Sequence, residues 1–317
     1  LDEFTNGKSL RGVLTGLTEA FIIDENQKNK ILLDDPKSAE LIHPVLRGRD
    51  IKPYYGALSD MHMICTFPSL NIDIENFQGI KNYLLDFGKE RLEQSGKKGS
   101  RKKTNNKWFE TQDAISYYQD FKVPKVMYQV LQVKPCFVYD EQGWYCNNSM
   151  WIIPSENRTL VGILNSKMGW WLITKYCTQI QNGCQLIWKY FGRIPIPKLD
   201  GELDELVNSM IINTKELNKG LIHLTDLLHS KFGILKLSRK LENWSQIEFG
   251  EFLKELQKSK VSLSLSQESE WMHFFNEQKK KAQGLQSQIN TLEQQIDAMV
   301  YELYGLTEEE IKIVENS

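Results

Sequence analysis

Cysteine is scarce in the 317-residue sequence, and no two cysteines stand at a metal-binding spacing. An odd number of cysteines without a CxxC motif favours reduced thiols over a disulfide framework or a zinc site. Long apolar runs are missing as well: no stretch approaches the length of a membrane span, and no signal-peptide pattern precedes the first predicted strand. We therefore expect a cytoplasmic protein with no membrane partner. The five cysteines are Cys65, Cys136, Cys146, Cys177 and Cys184.

Catalytic signatures are also missing from the sequence. Gly7, Gly12 and Gly16 precede no G-K-[ST] motif, so bends in strands explain them better than a phosphate loop does. His223 and His229 are six positions apart on a predicted helix, which does not place them on one face. The P-D…[DE]-x-K arrangement of many metal-dependent nucleases does not occur. The sequence thus predicts no catalytic, cofactor-binding or metal-binding residue.

The overall composition is ordinary, but charge is distributed unevenly. A hydrophobic fraction of 41% and a charged fraction of 25% are typical of a soluble globular protein, and the length suffices for about two domains. Residues 1–200 carry 26 Lys and Arg against 22 Asp and Glu, whereas residues 201–317 carry 13 against 19. A mildly basic first part beside an acidic second part suits a nucleic-acid-binding domain on an acidic support, although the net charge of −2 alone argues against a strong polyanion binder. Because the first residue is leucine, we expect the sequence to be a fragment of a longer protein.

The stretch 150–199 predicts a strand, a helix, a second strand and a stiff exit. A short apolar run, Met150–Ile153, is followed by apolar residues at helical spacing. After a polar turn at Thr178–Gly183, residues 184–191 alternate as a strand does, and Ile194–Pro197 leaves as an extended segment. We interpret this stretch as the closing piece of a globular domain.

Four neutral amide side chains crowd into that polar turn and the strand after it. An amide can contact N6 and N7 of adenine together, a bidentate match worth roughly 1–3 kcal/mol of discrimination. The alternative is that the amides only close the turn by bonding to backbone groups. We predict that at least one of them reads a base, and that Lys189 of the following strand adds a DNA contact. The amide residues are Gln179, Gln181, Asn182 and Gln185.

The segment 41–54, LIHPVLRGRDIKPY, brings three basic residues close together: Arg47, Arg49 and Lys52. One interpretation pairs Arg49 with a carboxylate such as Asp50. The other places Arg47 and Lys52 on DNA phosphates. Both interpretations are open at the level of sequence, and we include all three cations among the candidate DNA contacts.

Residues 95–107, SGKKGSRKKTNNK, hold six basic residues but no acid and no large apolar side chain. We call this segment the basic loop. Such a segment cannot bury itself and is expected to be mobile on its own. A basic run is usually only solvated surface, but this one falls inside a domain, where loops often carry binding, so we predict phosphate contacts. Its cations are Lys97, Lys98, Arg101, Lys102, Lys103 and Lys107.

A glycine-containing hairpin is predicted where Pro135–Asp140 and Trp144–Asn147 flank Glu141-Gln142-Gly143. Trp144 and Tyr145 stand near its tip. There they would stack on a flipped or neighbouring base, or belong to the core as such aromatic residues more often do.

Beyond Pro197 the hydrophobic period becomes wholly helical. Leu203–Leu228 predicts one long helix, with Asp200 as its candidate cap, and Trp271–Leu303 predicts a second. The second helix has apolar residues at alternating steps of three and four, which is a coiled-coil seam. We expect the seam to pair with the first helix as an antiparallel hairpin, since two joined helices meet at low entropic cost, and a dimer through the seam is the alternative. The seam residues are Ala282, Leu285, Ile289, Leu292, Ile296, Met299 and Leu303.

The chain end carries two capping patterns. Gly305 is placed to end the second long helix, and Thr307 to Glu310 forms a capping box for a short last helix. Together these patterns predict an α+β fold with a globular mixed domain at 1–199 and a helical, coiled-coil domain at 200–317.

Several separate blocks of the sequence resemble one known family. They are ENRTLVGILNSKMGWWLI with WKYFGRIPIP, the RGRDI segment, PKVMY and the tail MVYELYGLTEEEIKIVE. These blocks resemble the TaqI-like C-terminal specificity domain of type IIG restriction–modification enzymes, which combine an adenine-N6 methyltransferase with an endonuclease. The L-N-S-K helix and the I-P-x-P exit into long helices also resemble type I specificity subunits.

This resemblance implies a module that binds a specific duplex DNA sequence and directs a methyltransferase and endonuclease to it, in a bacterium or archaeon. It does not carry catalysis over, because the N-P-P-[YF] loop that holds a flipped adenine is absent, as is a glycine turn for S-adenosylmethionine. S-adenosylmethionine and Mg²⁺ are therefore expected only in a catalytic partner domain or subunit. Two other classes remain: a coiled-coil adaptor, which leaves the basic loop without a purpose, and a complete enzyme of unfamiliar type, which a perturbed carboxylate in a pocket would favour.

Overall fold

The computed structural model describes residues 1–57, 60–198 and 201–316. The strands in these residues are short: β1 (Leu10–Arg11), β2 (Ile22–Asp24), β3 (Ile42–Leu46), β4 (Ile51–Lys52), β5 (Tyr55–Gly56), β6 (Met61–Ile64), β7 (Lys125–Gln129), β8 (Leu131–Gln132), β9 (Phe137–Asp140), β10 (Tyr145–Cys146), β11 (Met150–Pro154), β12 (Thr178–Ile180) and β13 (Gly183–Gln185). The α-helices are α1 (Thr18–Phe21), α2 (Glu25–Asp34), α3 (Gln78–Leu92), α4 (Thr159–Asn165), α5 (Lys167–Tyr176), α6 (Trp188–Phe191), α7 (Gly201–Phe232), α8 (Arg239–Glu242), α9 (Phe249–Lys258), α10 (Leu265–Leu303) and α11 (Glu308–Glu315).

The chain forms two compact units, Leu1–Leu199 together with Val300–Ser317, and Asp200–Met299. The predicted domain boundary between residues 199 and 200 falls on two residues outside the described ones, as does the predicted cap Asp200. The boundary therefore stays a prediction.

The first unit is built on small sheets with separate apolar cores. An antiparallel sheet has the strand order β1-β11-β7-β9, and a second sheet has the order β10-β3-β6-β2, in which β10 runs parallel to β3. The centre of the first sheet is β7, whose residues Val126, Met127 and Tyr128 are fully buried. This burial on both faces explains why the strand reads as a continuous apolar run rather than an alternating one.

A third, three-stranded sheet has the order β12-β13-β8. It grows out of the first sheet, because β8 follows β7 after a single residue and the Leu186 N–H donates to the Val130 carbonyl at 2.8 Å. Its edge strand, β12, is exposed along its whole length. The amide-rich segment of the sequence therefore forms a hairpin at the margin of the unit.

The second unit contains the antiparallel helical hairpin that the sequence predicts. The Asn213 side chain of α7 donates to Gln288 of α10 at 3.3 Å, and the rings of Phe232 and Trp271 lie 5.2 Å apart. Since the partner number falls as the α7 number rises, the two helices run in opposite directions. The seam residues Ala282, Ile289 and Ile296 are buried. The α+β class followed by a long helical hairpin is confirmed.

Both capping predictions at the chain end are confirmed. The Gly305 N–H donates to Glu302 O at 2.9 Å and the Leu306 N–H donates to Tyr301 O at 3.1 Å, the two bonds of a Schellman motif. Thr307 and Glu310 form the expected reciprocal capping box of α11.

The predicted strand over residues 184–191 is wrong beyond Gln185. The chain forms only β13 there and then turns into α6 (Trp188–Phe191). Phe191 is fully buried, with its ring 5.2 Å from Tyr128 and 5.8 Å from Phe137. An apolar residue three positions after Trp188 suits a helical turn as well as a strand, and packing against these two rings selects the turn. The predicted polar turn at Thr178–Gly183 is likewise wrong, because it contains the strand β12.

The single helix predicted after Met150–Ile153 is two helices. Ser166 separates α4 from α5 with an extended backbone, and its hydroxyl accepts the Gly169 N–H at 3.0 Å. A serine that caps the second helix therefore interrupts an apolar spacing that looks continuous in the sequence.

The predicted hairpin between Pro135–Asp140 and Trp144–Asn147 is also wrong. The strand β9 pairs with β7, and β10 pairs in parallel with β3. The Asp140 carboxylate redirects the chain, since it accepts the N–H of Gln142 at 2.8 Å and that of Trp144 at 2.9 Å and also pairs with the buried Lys125 ammonium. Burial lowers the pKa of Lys125, and the Asp140 carboxylate opposes that effect.

Candidate nucleic-acid interface

The hairpin of β12 and β13 presents the predicted amide residues. We call residues 178–185 the amide hairpin. Thr178 pairs with Gln185 and Gln179 with Cys184, so that Gln181 and Asn182 form the exposed tip. Tyr176 ends α5 just before the hairpin, and the buried Cys177 anchors its first strand.

Gly183 fixes the hairpin against β8. A Cβ atom at this position would lie 2.1 Å from the Gln132 carbonyl oxygen. Because that neighbour is backbone, it cannot rotate away as a side chain can. Glycine at this position lets the second strand pair closely with β8 and sets the direction in which the tip projects.

The four amides are not equivalent. The Gln179 side chain donates to the Thr174 carbonyl at 3.3 Å, as expected for an amide that supports the turn. Within the described residues, the side chains of Gln181, Asn182 and Gln185 make no hydrogen bond, and the first two are exposed. The alternative in which an amide bonds to backbone therefore holds for Gln179, whereas base reading by the other three stays a prediction for which their donors and acceptors are available.

An open groove of about 480 Å³ lies beside the amide hairpin, and Gln185 belongs to both. We call it the strand-end groove, because the ends of β1, β7 and β11 meet there. Its wall combines the half-buried Trp151 with exposed apolar side chains such as Leu131. The lining residues are Arg11, Gln129, Val130, Leu131, Asn148, Ser149, Trp151, Gln185 and Ile187.

The RGRD turn packs against the wall of this groove. A Cβ atom at Gly48 would lie 2.2 Å from Nε2 of Gln129, a groove residue, so the turn and the groove are in direct contact. The guanidinium of Arg47 forms two hydrogen bonds with Asp50, at 2.6 and 3.1 Å, whereas Arg49 is 74% exposed.

The predicted pair of Arg49 with Asp50 is present but long, with Arg49 Nε 4.0 Å from Asp50 Oδ1. Arg47 is the closer partner, because its side chain folds back over the turn in bidentate geometry with Nε 2.6 Å from Asp50 Oδ2. The assignment of Arg47 to a phosphate is thus corrected. Arg49, next to Gly48 at the groove wall, and the exposed Lys52 remain candidate DNA contacts.

The basic loop is organised around a buried arginine. Arg101 is only 4% exposed, and its guanidinium donates to the carbonyls of Leu92, Thr15 and Trp108 at 2.8, 2.9 and 2.7 Å. Burial lowers the pKa of Arg101 to about 10, a change that the Glu110 carboxylate opposes, so the group stays charged at neutral pH. The assignment of Arg101 to a DNA phosphate is therefore corrected: it holds the loop in place. The expectation of a loop without buried anchors is wrong for the same reason.

The five lysines of the basic loop stay at the surface. Lys107 donates to the Ile72 carbonyl at 3.3 Å, whereas the side chains of Lys97, Lys98, Lys102 and Lys103 are exposed and make no hydrogen bond within the described residues. The loop is tied through Arg101 to Thr15, four residues from Arg11 of the strand-end groove. A chain spans at most about 3.6 Å per residue, so these two residues are no more than about 14 Å apart.

Trp144 and Tyr145 do not reach the surface. They are 6% and 2% exposed, and Tyr145 is stacked between Phe121 and His43, with ring centroids at 4.6 and 4.9 Å. The assignment of these two aromatic residues to base stacking is corrected, because no base can approach a ring that is covered on both faces.

Lys189 is exposed on α6 rather than on a strand. It lines a different depression, together with Asp2 and Glu3, and lies over the Tyr190 ring at 5.7 Å. Two carboxylates at the same depression weaken its attraction for phosphates. Lys189 stays a predicted contact, and the amide hairpin, the RGRD turn and the strand-end groove form a surface without it.

Gln185 is the single residue of the groove lining that was predicted from the sequence; the other eight, Arg11 and Trp151 among them, were not. Arg11 and Trp151 meet because they stand opposite each other where β1 pairs with β11. Arg11 and Trp151 are about 140 positions apart in the sequence, and no local sequence pattern predicts that they pair. An isolated arginine between leucine and glycine gave no signal that could have marked it.

Among the described residues there is no cluster of three or more His, Cys, Asp or Glu side chains that could hold a metal ion. No helix of the described chain is long and apolar enough to span a membrane. The surface offers amides, lysines and the two exposed arginines Arg11 and Arg49. These groups recognise acceptors and anions by hydrogen bonding and charge.

Two family models match parts of this chain. Residues 43–196 match the family model of the TaqI-like C-terminal specificity domain, and residues 197–300 match a domain of unknown function, DUF8810. No curated protein matches the chain. One similar solved structure is that of the type IIL restriction–modification enzyme MmeI in complex with DNA, at 11% identity and a TM-score of 0.48, covering 95% of this chain and 33% of that one. The chain thus spans about a third of that enzyme's length. The amide hairpin, the RGRD turn and all but one residue of the strand-end groove lie inside residues 43–196, the range that is similar to the TaqI-like C-terminal specificity domain.

Proposed function

We propose that this chain is the DNA target-recognition module of a restriction–modification system and binds duplex DNA in a sequence-specific manner. The observation that carries the proposal is the amide hairpin, whose side chains at Gln181, Asn182 and Gln185 are not used inside the protein. It lies within the range that matches a specificity-domain family.

The hairpin has suitable dimensions for base reading. The major groove of B-DNA is about 12 Å wide and admits a two-stranded β-ribbon, and each base pair presents a distinct donor and acceptor pattern there. Two paired strands lie only about 4.8 Å apart, so the ribbon fits with its side chains. The amides at its tip have the paired donor and acceptor that match adenine N6 and N7. An A·T pair is therefore the base pair that this hairpin is best suited to read.

Phosphate contacts would come from the exposed cations around this surface. Arg49 follows Gly48 at the wall of the strand-end groove, Lys52 is exposed three residues further on, and the basic loop adds four exposed lysines. Such contacts position a protein on DNA without reading its sequence. They give the module general affinity, while the hairpin supplies discrimination.

The catalytic steps belong to the rest of the enzyme in this proposal. The module would serve an adenine-N6 methyltransferase and endonuclease of the type IIG kind, in which S-adenosylmethionine and Mg²⁺ bind to the catalytic part. Such a system acts on DNA in the cytoplasm of a bacterium or archaeon. The described residues hold no candidate metal cluster. The apolar seam of α10 packs against α7 of the same chain, so the proposal does not require a dimer formed through that seam.

A direct test measures binding of the whole 317-residue chain to a random pool of duplex DNA as salt is raised from about 50 to about 200 mM. We expect binding that weakens steeply with salt, and enrichment of a defined sequence after several rounds of selection. Binding that is indifferent to salt, or a pool that stays random, would contradict the proposal. Methyl transfer to DNA by this chain alone would show that it is an enzyme and not only a recognition module.

A further inference from the structure

We propose that Arg11, at the strand-end groove, reads a guanine near the base pair that the amide hairpin contacts. This inference rests on the proposed function and adds to it a further residue and a further base. Nothing in the sequence marks Arg11, and it lies outside the matched specificity-domain range.

The backbone at Arg11 is fixed on several sides. Arg11 is paired with Trp151 in the antiparallel β1–β11 ladder, and the next residue donates its N–H to Met150 O at 2.8 Å. The Tyr117 hydroxyl donates to the Arg11 carbonyl at 2.8 Å. The Cα–Cβ direction of this arginine is therefore set by the sheet rather than by a mobile loop, as precise base contacts require.

The side chain, in contrast, is not engaged inside the protein. Arg11 is exposed and lines the groove, and over residues 1–57, 60–198 and 201–316 no carboxylate lies within ion-pair distance of it. Arg47 and Arg101 differ in this respect, since Asp50 holds the first and three carbonyls hold the second. Arg11 thus combines a fixed backbone with an available guanidinium, at a groove that it shares with Gln185.

Guanine is the base that fits this group. In the major groove it presents two acceptors, O6 and N7, which match the two parallel N–H donors of a guanidinium, and a good bidentate pair discriminates against the wrong base by about 5- to 150-fold. Arg11 and Gln185 line the same groove of about 480 Å³. The guanine should therefore lie close to the base pair that the hairpin reads.

The test selects preferred duplexes from a random pool with the whole chain and with the variants Arg11→Ala, Arg11→Lys and Arg193→Ala. Arg11→Lys keeps the charge but loses the planar fork, so it separates base reading from a phosphate contact. Arg193 is an exposed arginine that lines the other depression, and Arg193→Ala is the matched control for the loss of one charge. Thermal unfolding of each variant checks that the fold is retained.

For the unmodified chain we expect a preferred G·C pair close to a preferred A·T pair. Both Arg11 variants should lose the guanine preference by about 5- to 150-fold and keep the A·T preference, and Arg193→Ala should keep both. In a duplex with 7-deazaguanine at that position, the unmodified chain should lose affinity and Arg11→Ala should not.

Two outcomes would overturn the inference alone: Arg11→Ala keeping the guanine preference, or Arg11→Lys behaving as the unmodified chain does, which would make Arg11 a phosphate contact. If the unmodified chain selects no sequence at all, the proposed function itself fails and the inference falls with it. Selection with the unmodified chain therefore distinguishes failure of the inference on Arg11 from failure of the proposed function.

Discussion

The Arg101 guanidinium donates to the carbonyl of Thr15 at 2.9 Å across 86 residues of chain. This bond ties the most basic segment of the protein to the strand region that leads to the strand-end groove. The same side chain also holds the carbonyls of Leu92 and Trp108. The sequence suggests that Arg101 is another surface cation, but its buried hydrogen bonds hold the basic loop against the rest of the unit.

We therefore predict that Arg101→Ala destabilises the fold. It would leave three carbonyls without their donor in a buried site, and we expect the free energy of unfolding to fall by roughly 2–4 kcal/mol. Urea unfolding followed by circular dichroism measures this loss. Lys102→Ala, at the exposed next position, is the matched control and should change stability by less than about 0.5 kcal/mol. Equal, small effects of the two variants would contradict the structural role of Arg101.

The second prediction concerns the close approach of Gly183 to β8. Gly183→Ala would place a methyl group against the Gln132 carbonyl, at 2.1 Å in the unchanged backbone, so β13 must move away. We expect a stability loss of about 1–3 kcal/mol and a weaker sequence preference, because the tip of the amide hairpin is displaced. Gly220→Ala, in the middle of α7 where nothing lies within 4 Å, is the control and should stabilise by about 0.5–1 kcal/mol. Unchanged sequence preference in Gly183→Ala would show that the hairpin does not read bases.

Local patterns in the sequence predicted the elements whose stability is local. The seam of α10, the cap at Gly305 and the capping box at Thr307 depend on residues within one or two turns, and the structure shows all three. The family resemblance predicted the match of residues 43–196 to the TaqI-like specificity-domain model.

The parts that sequence patterns missed depend on distant partners. Alternation over residues 184–191 is compatible with a strand, and only the distant rings of Tyr128 and Phe137 make a helix of Trp188–Phe191. Arg101 and Lys102 are adjacent and both basic, yet one is buried because three carbonyls from separate segments converge on it. Arg11 reaches the candidate interface only through the pairing of β1 with β11.

The third prediction is acid destabilisation through His43. Burial lowers the pKa of His43 from 6.5, and the nearby Lys122 ammonium adds to the effect. The unfolded state therefore binds a proton more readily than the folded state, so stability is retained above the unfolded pKa and falls as pH drops through it towards the lowered folded pKa. The free energy of unfolding should decline from about pH 7 to about pH 5, and His43→Gln should reduce that slope.

His62 gives an internal comparison for the third prediction. Burial lowers the pKa of His62 as well, with Lys28 contributing, so His62→Gln should reduce the slope in the same direction and the double variant should reduce it further. If His43→Gln left the pH dependence of unfolding untouched, the acid sensitivity would have to arise elsewhere.

The last prediction separates phosphate contacts, which position the protein on DNA, from base contacts, which read its sequence. Lys97, Lys98, Lys102 and Lys103 are exposed on an anchored loop, where charge can meet phosphates without a required side-chain geometry. Changing all four to Gln should weaken binding to every duplex alike and reduce the salt slope by up to about 0.9 per lysine. The matched control changes four exposed lysines of the helical unit to Gln and should alter neither; these are Lys215, Lys219, Lys236 and Lys254.

The complementary variant replaces Gln181 and Asn182 by Ala at the hairpin tip. Because these amides are neutral, the salt slope should stay as it is, while preference relaxes at one base pair by roughly 1–3 kcal/mol. Gln119→Ala with Gln142→Ala removes two exposed amides elsewhere in the same unit and serves as its control. Selection and salt titration on the four proteins give both readouts. A uniform loss of affinity from both sets of changes would reject the division of labour, and base reading would then have to come from the strand-end groove alone.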